Sequence, residues 1–205
     1  MVTDERSDPA SASNRGPVSD PESATATLVA LVEDAVGEPI ETTPPAEPSD
    51  RDDTVAVVGR GDAPSPIDRL VDRVADADSI VGVVPRLDAS LVERLRRRDT
   101  STDSAGNEGV EARIVVTGAA REAVTGPAGP MVRAALESGG GIELFACEGD
   151  SPVGLLLVDD RAIVGLFDDA GLAAVLIADA PAVRVREWVA AACRRSLATA
   201  ERLSG

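Results

Sequence analysis

Three apolar runs in the last third of the chain constrain the fold most tightly. They are VGLLLVD at 153–159, RAIVGLF at 161–167 and LAAVLIA at 172–178. The first two meet at Asp159-Asp160, and DDAG at 168–171 joins the second to the third. Short apolar runs joined by tight Asp- and Gly-rich turns predict antiparallel hairpins, here a three-strand meander. Asp159 and Asp160 then read as structural turn residues, as do Asp168 and Asp169. Adjacent strand residues point to opposite faces, so neither acidic pair converges on a metal.

Upstream the pattern alternates. TVAVVG at 54–59 reads as a strand, and 66–77 as a helix with Ser65 as its cap and Pro66 at its first position. SIVGVVP at 79–85 is a strand. A helix at 89–98 opens on Asp88 and ends on Arg96, Arg97 and Arg98, cations that suit a helix C-terminus. After a polar loop at 99–109, VEARIVVTG at 110–118 is a strand. A helix at about 128–138 ends at the glycines 139–141, and IELFAC at 142–147 is a strand. The meander follows, then a helix at about 182–203 whose stripe is Val185, Trp188, Val189, Ala192, Cys193 and Leu197. The sum is β-α-β-α-β-α-β, an antiparallel meander and a C-terminal helix. Alternating units imply a parallel sheet covered on both faces. The expectation is an α/β fold over 54–205: a three-layer domain with a mixed sheet.

Residues 1–53 differ. They hold 13 Asp and Glu against 3 Arg, most of the excess behind the net charge of -16. They are rich in Ser, Thr and Pro, so they read as mostly disordered. One piece, ATATLVALVEDAV at 24–36, places Leu28, Leu31, Val32 and Val36 on one helical face before Gly37. It reads as a short amphipathic helix that packs on the domain or serves a dimer.

Composition excludes whole classes of chemistry. There is no His and no Lys. That removes imidazole acid–base catalysis, imidazole metal ligation, lysine Schiff bases and a phosphate-loop lysine. No G-x-S-x-G nucleophile elbow is present. The cysteines, Cys147 and Cys193, show no C-x-x-C spacing, so neither a zinc site nor any cofactor is expected. A surface this acidic repels phosphate backbones and anionic lipid, so direct nucleic-acid or membrane binding is not expected. Acid-rich and lysine-free, the chain reads as salt-adapted (halophilic). No signal peptide or spanning run is visible, so a cytoplasmic location is expected.

Ligands of open α/β sheets bind beyond the carboxyl ends of the parallel strands. Those ends place Arg60, Arg86, Thr117 and Gly118 as candidate ligand-binding residues, the arginines for an anion and Thr117 as a hydroxyl contact. Gly59-x-Gly61 lacks the third glycine of a dinucleotide fingerprint, with Pro64 in its place. The alternative is a small enzyme using Cys147 or Asp and Arg residues. Against it, Glu148-Gly149-Asp150 beside the thiol offers no activating cation.

SPVGLLLVDDRAIVGLF at 151–167 resembles the signature hairpin of the phospholipase D superfamily, H-x-K-x-x-x-x-D. With the motif's Asp on Asp159, Pro152 stands at the histidine position and Gly154 at the lysine position. The resemblance therefore implies a phospholipase D-like half domain that has lost its catalysis. P-x-G-L-x-x-V-D-D-R at 152–161 and the strand ARIVVTG at 112–118 resemble the sensor domain of archaeal TrmB-type transcriptional regulators, over roughly 54–203. That resemblance implies a non-catalytic domain that binds an unidentified small-molecule effector or mediates a homodimer. Residues 1–53 are too few and too acidic for a winged helix, so a stand-alone sensor or one that pairs with a DNA-binding regulator partner is expected.

Overall fold

The computed structural model describes residues 21–43, 55–75, 77–87, 111–137, 141–180 and 182–203. Its strands are β1 (Thr42–Thr43), β2 (Val55–Gly59), β3 (Ser79–Val84), β4 (Glu111–Val116), β5 (Ile142–Ala146), β6 (Val153–Val158), β7 (Arg161–Asp168), β8 (Gly171–Ala178) and β9 (Glu201–Arg202). Its helices are α1 (Pro21–Val36), α2 (Pro66–Val74), α3 (Gly118–Thr125), α4 (Gly129–Glu137) and α5 (Val183–Thr199). The expected helix at 89–98 and loop at 99–109 lie outside the described residues.

The strands form one mixed sheet in the order β1-β2-β8-β7-β6-β3-β4-β5-β9, and the fold class is α/β. The meander β6-β7-β8 sits at its centre, and β3, β4 and β5 run parallel beside it. The alternating sequence pattern implies one parallel row that includes 54–59. Instead β2 lies across the meander and pairs antiparallel with β8, Val55 opposite Ala178. Tracing directions through the pairs, β2, β3, β4, β5 and β7 all end at one edge, here the upper edge.

Along β8 every residue is buried, yet the contacts alternate. Ala174, Leu176 and Ala178 join a core with α1 and α5, while Val175 and Ile177 join a second core beside α2. Period-two alternation puts these cores on opposite faces, so helices cover both. α2 starts as expected, with a reciprocal capping box between Ser65 and Asp68 and Pro66 in its first turn.

α1 packs on β8, β2 and α5 of its own chain. Leu28 and Val32 are fully buried, and Leu31 and Val36 are half-buried against the same core. Gly37, at φ 76, closes the helix and donates its N–H to the Glu33 carbonyl at 2.8 Å. Burying a Leu or Val side chain stabilises by roughly 1.5–3 kcal/mol, so residues before Thr54 contribute to the core.

Two elements depart from expectation. α3 falls in a stretch to which the sequence reading assigns no element; only Ala120 and Val124 of its residues are buried, too few for a visible stripe. The C-terminal helix ends at Thr199 rather than continuing to 203. Ala200 turns extended, β9 pairs with β5, and Leu203 donates its N–H to Leu144 and packs against Val116 and Ala146. Partial burial of Leu203 at the far sheet edge takes the place of one more turn of helix.

Candidate functional site at the upper sheet edge

The upper edge gathers the four candidate ligand residues. Arg60 follows β2 and hydrogen-bonds through its N–H to the Ala173 carbonyl, 2.8 Å, which fixes it beside the β7–β8 turn. There its guanidinium donates two parallel bonds to Asp168, Nη1 to Oδ2 at 2.8 Å and Nη2 to Oδ1 at 2.7 Å. Asp168 Oδ1 also accepts the Ala170 N–H at 2.8 Å. The Arg60 hydrogen bond is the main cause holding the Asp168 carboxyl below its usual range, and the same bond raises the Arg60 pKa. The Asp168 side chain is 18 % exposed and that of Arg60 is 43 % exposed. The pair is thus partly screened, and its net worth stays near the upper end of the exposed range, about 1 kcal/mol.

Arg86, just beyond β3, reaches the same turn. Its Nη1 donates to the Asp169 carbonyl at 3.1 Å, and its Nη2 lies 3.7 Å from Asp169 Oδ1. Two strand-end arginines therefore converge on one acidic turn. Local sequence marks Asp168 and Asp169 as turn residues alone. The cross-sheet role of Asp168 joins positions 108 residues apart, a separation that local sequence does not reveal.

Thr117 and Gly118 lie on the other side of Pro85. Thr117 is only 8 % exposed and is the N-cap of α3, yet its side chain makes no capping hydrogen bond. Gly118, at φ 47, donates its N–H to the Gly149 carbonyl at 2.8 Å, and Ala120 donates to Pro85 at 3.0 Å. Two amides at the start of α3 are thus taken by neighbouring carbonyls. The backbone of Pro85-Arg86 links this cluster to the arginine pair.

Asp159 and Asp160 stand at the opposite edge, in the β6–β7 turn. Asp159 adopts φ 50, and its Oδ1 accepts N–H bonds from Asp78 at 3.1 Å and Ser79 at 2.9 Å, which tie the start of β3 to the hairpin. Asp160 is exposed. Among the described residues no group of three or more His, Cys, Asp or Glu is placed to hold a metal ion. Nor is any helix among them long and apolar enough to cross a membrane.

Gly154 has no room for a side chain beside the Phe167 ring. A Cβ there would lie 2.8 Å from Phe167 Cε2 and 3.2 Å from Pro85 Cδ. Gly154 pairs across the strands with Gly165, where a Cβ would lie 3.2 Å from the same Phe167 carbon. The two glycines seat the Phe167 ring, which fills the space that side chains at 154 and 165 would need. The sequence shows the two glycines but not the ring that they seat.

Cys147 is half-buried, with Sγ 3.6 Å from Thr199 Oγ1, and lines an open groove of about 480 Å³ with Arg121, Glu148 and Glu201. Cys193 lies on the buried face of α5, and desolvation pushes its thiol up to about 11.

No curated protein matches the chain. Among solved structures it is similar to TrmBL2, described as an archaeal chromatin protein with a novel mode of DNA binding. The TM-score is 0.50 at 17 % identity, over 89 % of this chain and 62 % of that one. This likeness concerns the fold, and the chain spans less than two thirds of that protein. Residues 64–195, more than half of the chain, match the family described as the middle domain of the methanogenesis regulatory protein FilR1, and the chain belongs to that family.

Proposed function

We propose that the chain is a non-catalytic, effector-sensing domain of a transcriptional regulator, and that it reads a small anionic effector at the upper sheet edge. The supporting observation is the convergence of Arg60 and Arg86, from separate strands, on the Asp168-Asp169 turn. A guanidinium bound to a carboxylate in parallel geometry binds an effector carboxylate or phosphate in the same way. An incoming anion competes with Asp168 and Asp169 for the arginines and frees the β7–β8 turn. Thr117, buried and making no side-chain cap bond to α3, and Gly118 supply the polar wall on the far side of Pro85. Membership of a regulator family supports an output at the level of transcription. We place the DNA contact on a winged-helix partner, whether a separate chain or an adjoining domain. The phospholipase D-like hairpin remains our reading of the meander, with Phe167 occupying the former catalytic space.

The test is thermal unfolding at constant ionic strength with inorganic phosphate, citrate and other small organic anions. At least one anion is expected to raise the midpoint of the wild type and not that of Arg60→Gln. A response that survives both Arg60→Gln and Arg86→Gln would place the ligand elsewhere.

The second reading, an enzyme built on Cys147, has one observation in its favour: Arg121 and the thiol line the same groove. Alkylation of the folded protein with iodoacetamide at neutral pH discriminates. Cys147 reacting far faster than a model thiol would support the enzyme, and ordinary or slow reaction would remove it.

A further inference from the structure

Charge on the described helices is segregated in one place only. α2 carries Asp68 and Asp72 against Arg69 and Arg73, α3 carries Arg121 against Glu122, and α4 carries Arg133 against Glu137, so each is neutral. α1 holds Glu22, Glu33 and Asp34 with no basic residue, a net of -3. α5 holds Arg184, Arg186, Arg194 and Arg195 against Glu187, a net of +3. These two helices share one face of the sheet and touch each other.

Within one chain the opposite charges are barely used. Among the described residues a single ion pair, Arg184 to Glu38 at 3.8 Å, joins the start of α5 to the residues after α1. Glu22 and Asp34 are exposed, as are Arg186, Arg194 and Arg195. None of these five has an ion pair among the described residues. Apart from Glu187, the rest of the exposed surface is small: Ala26, Thr27, Ala30 and Ala35 on α1 and Ala198 and Thr199 on α5, with Val183 54 % exposed.

We propose that this helix layer is the contact surface for a second copy of the chain. A two-fold axis running along the helices, in the plane of contact, sets each α1 on the α5 of the other copy. Every pair in such an isologous contact occurs twice, so acid meets arginine twice. The in-plane axis at right angles to this would set α1 on α1, and like charges reject it. Arginine suits the role, because its planar fork binds carboxylates bidentately. Small residues along α1 and at the end of α5 let the helix axes approach closely. Elsewhere the net charge of -16 drives copies apart, and this face presents both signs in matching amounts. The proposal is independent of the effector reading, since the helix face and the upper edge use different residues.

The test is the mass of the full chain by sedimentation equilibrium, with circular dichroism as a control for folding. The wild type is expected to be a dimer that weakens as salt rises. Arg194→Glu with Arg195→Glu makes α5 net negative, and Glu22→Arg with Asp34→Arg makes α1 net positive. Each doubly substituted chain alone is expected to lose affinity by about tenfold or more, because like charges then face each other. Mixed, the two chains restore opposite charge in both contacts and are expected to form a heterodimer. A monomeric wild type, a dimer indifferent to both reversals, or a mixture that fails to pair would each overturn the proposal. A monomer that binds duplex DNA through Arg194 and Arg195 would likewise overturn it and mark α5 as a polyanion surface.

Discussion

Phe167 and the two glycines beneath it form a unit whose energetics can be worked out from the structure. In Gly154→Ala the new methyl stands 2.8 Å from Phe167 Cε2, with Pro85 Cδ at 3.2 Å behind it. The ring must move, and overpacking of this kind costs about 1–3 kcal/mol. Phe167→Ala removes a half-buried ring. Full burial would put the loss at about 3–5 kcal/mol, and partial exposure brings it to roughly 2–3 kcal/mol on that scale. The double substitution differs from the sum, because the alanine methyl at 154 then enters space the ring has vacated. Its cost should fall short of the sum by about 1–2 kcal/mol, the coupling expected of residues in contact. Urea unfolding of the four proteins at one salt concentration, with equal m-values as the control, measures this directly. Additivity within about 0.5 kcal/mol would refute the claim that Phe167 fills the space above Gly154.

Other consequences concern single groups. Asp159→Ala removes the acceptor of two backbone N–H bonds and a residue that tolerates φ 50; it should cost about 1–2 kcal/mol, with Asp159→Asn, which keeps an acceptor, losing less in the same assay. Asp168 has a lowered folded pKa, so its stabilisation is present above the unfolded carboxylate pKa and is lost as pH falls through the folded value. Acid unfolding of Asp168→Asn should therefore show a shallower loss of stability below about pH 4 than the wild type; identical slopes would contradict the ion pair. Cys193 behaves oppositely. Its folded value of about 11 against 9.0 means that its contribution is full below pH 9 and is lost as pH rises toward 11. The loss is about 2–3 kcal/mol at 1.36 kcal/mol per unit. Cys193→Ala should flatten that alkaline limb, and an unchanged limb would show that the thiol stays exposed.

Legibility in the sequence followed the range of the interactions. The meander was readable because Asp159-Asp160 and DDAG mark its turns locally, and each strand came within a residue or two of its observed bounds. The helix at 24–36 was readable from the spacing of Leu28, Leu31 and Val32, although a pattern of this kind does not name the surface it covers. The place of β2 was not readable: Val55 to Gly59 look like any buried strand, and pairing with Ala174 to Ala178 is a contact across more than a hundred residues. α3 was missed because two buried residues, Ala120 and Val124, make no stripe. At the upper edge Arg60 and Arg86 stood out as strand-end cations, whereas their partners in the β7–β8 turn carried only the local signature of a turn. The charge opposition between α1 and α5 was present in composition throughout, but it has meaning only once the two helices are known to be neighbours.

The most direct test of the sensing account is an NMR titration that follows the arginine Nε–H signals of Arg60 and Arg86, assigned by Arg60→Gln and Arg86→Gln. Phosphate, citrate and other small organic anions would be added at constant ionic strength. The account predicts that an effector-like anion moves both signals together and saturably, together with the backbone of Asp168 to Gly171. Signals that stay fixed up to millimolar anion, while the same anions shift residues elsewhere, would contradict it and leave the two ion pairs as structural fastenings of the sheet edge.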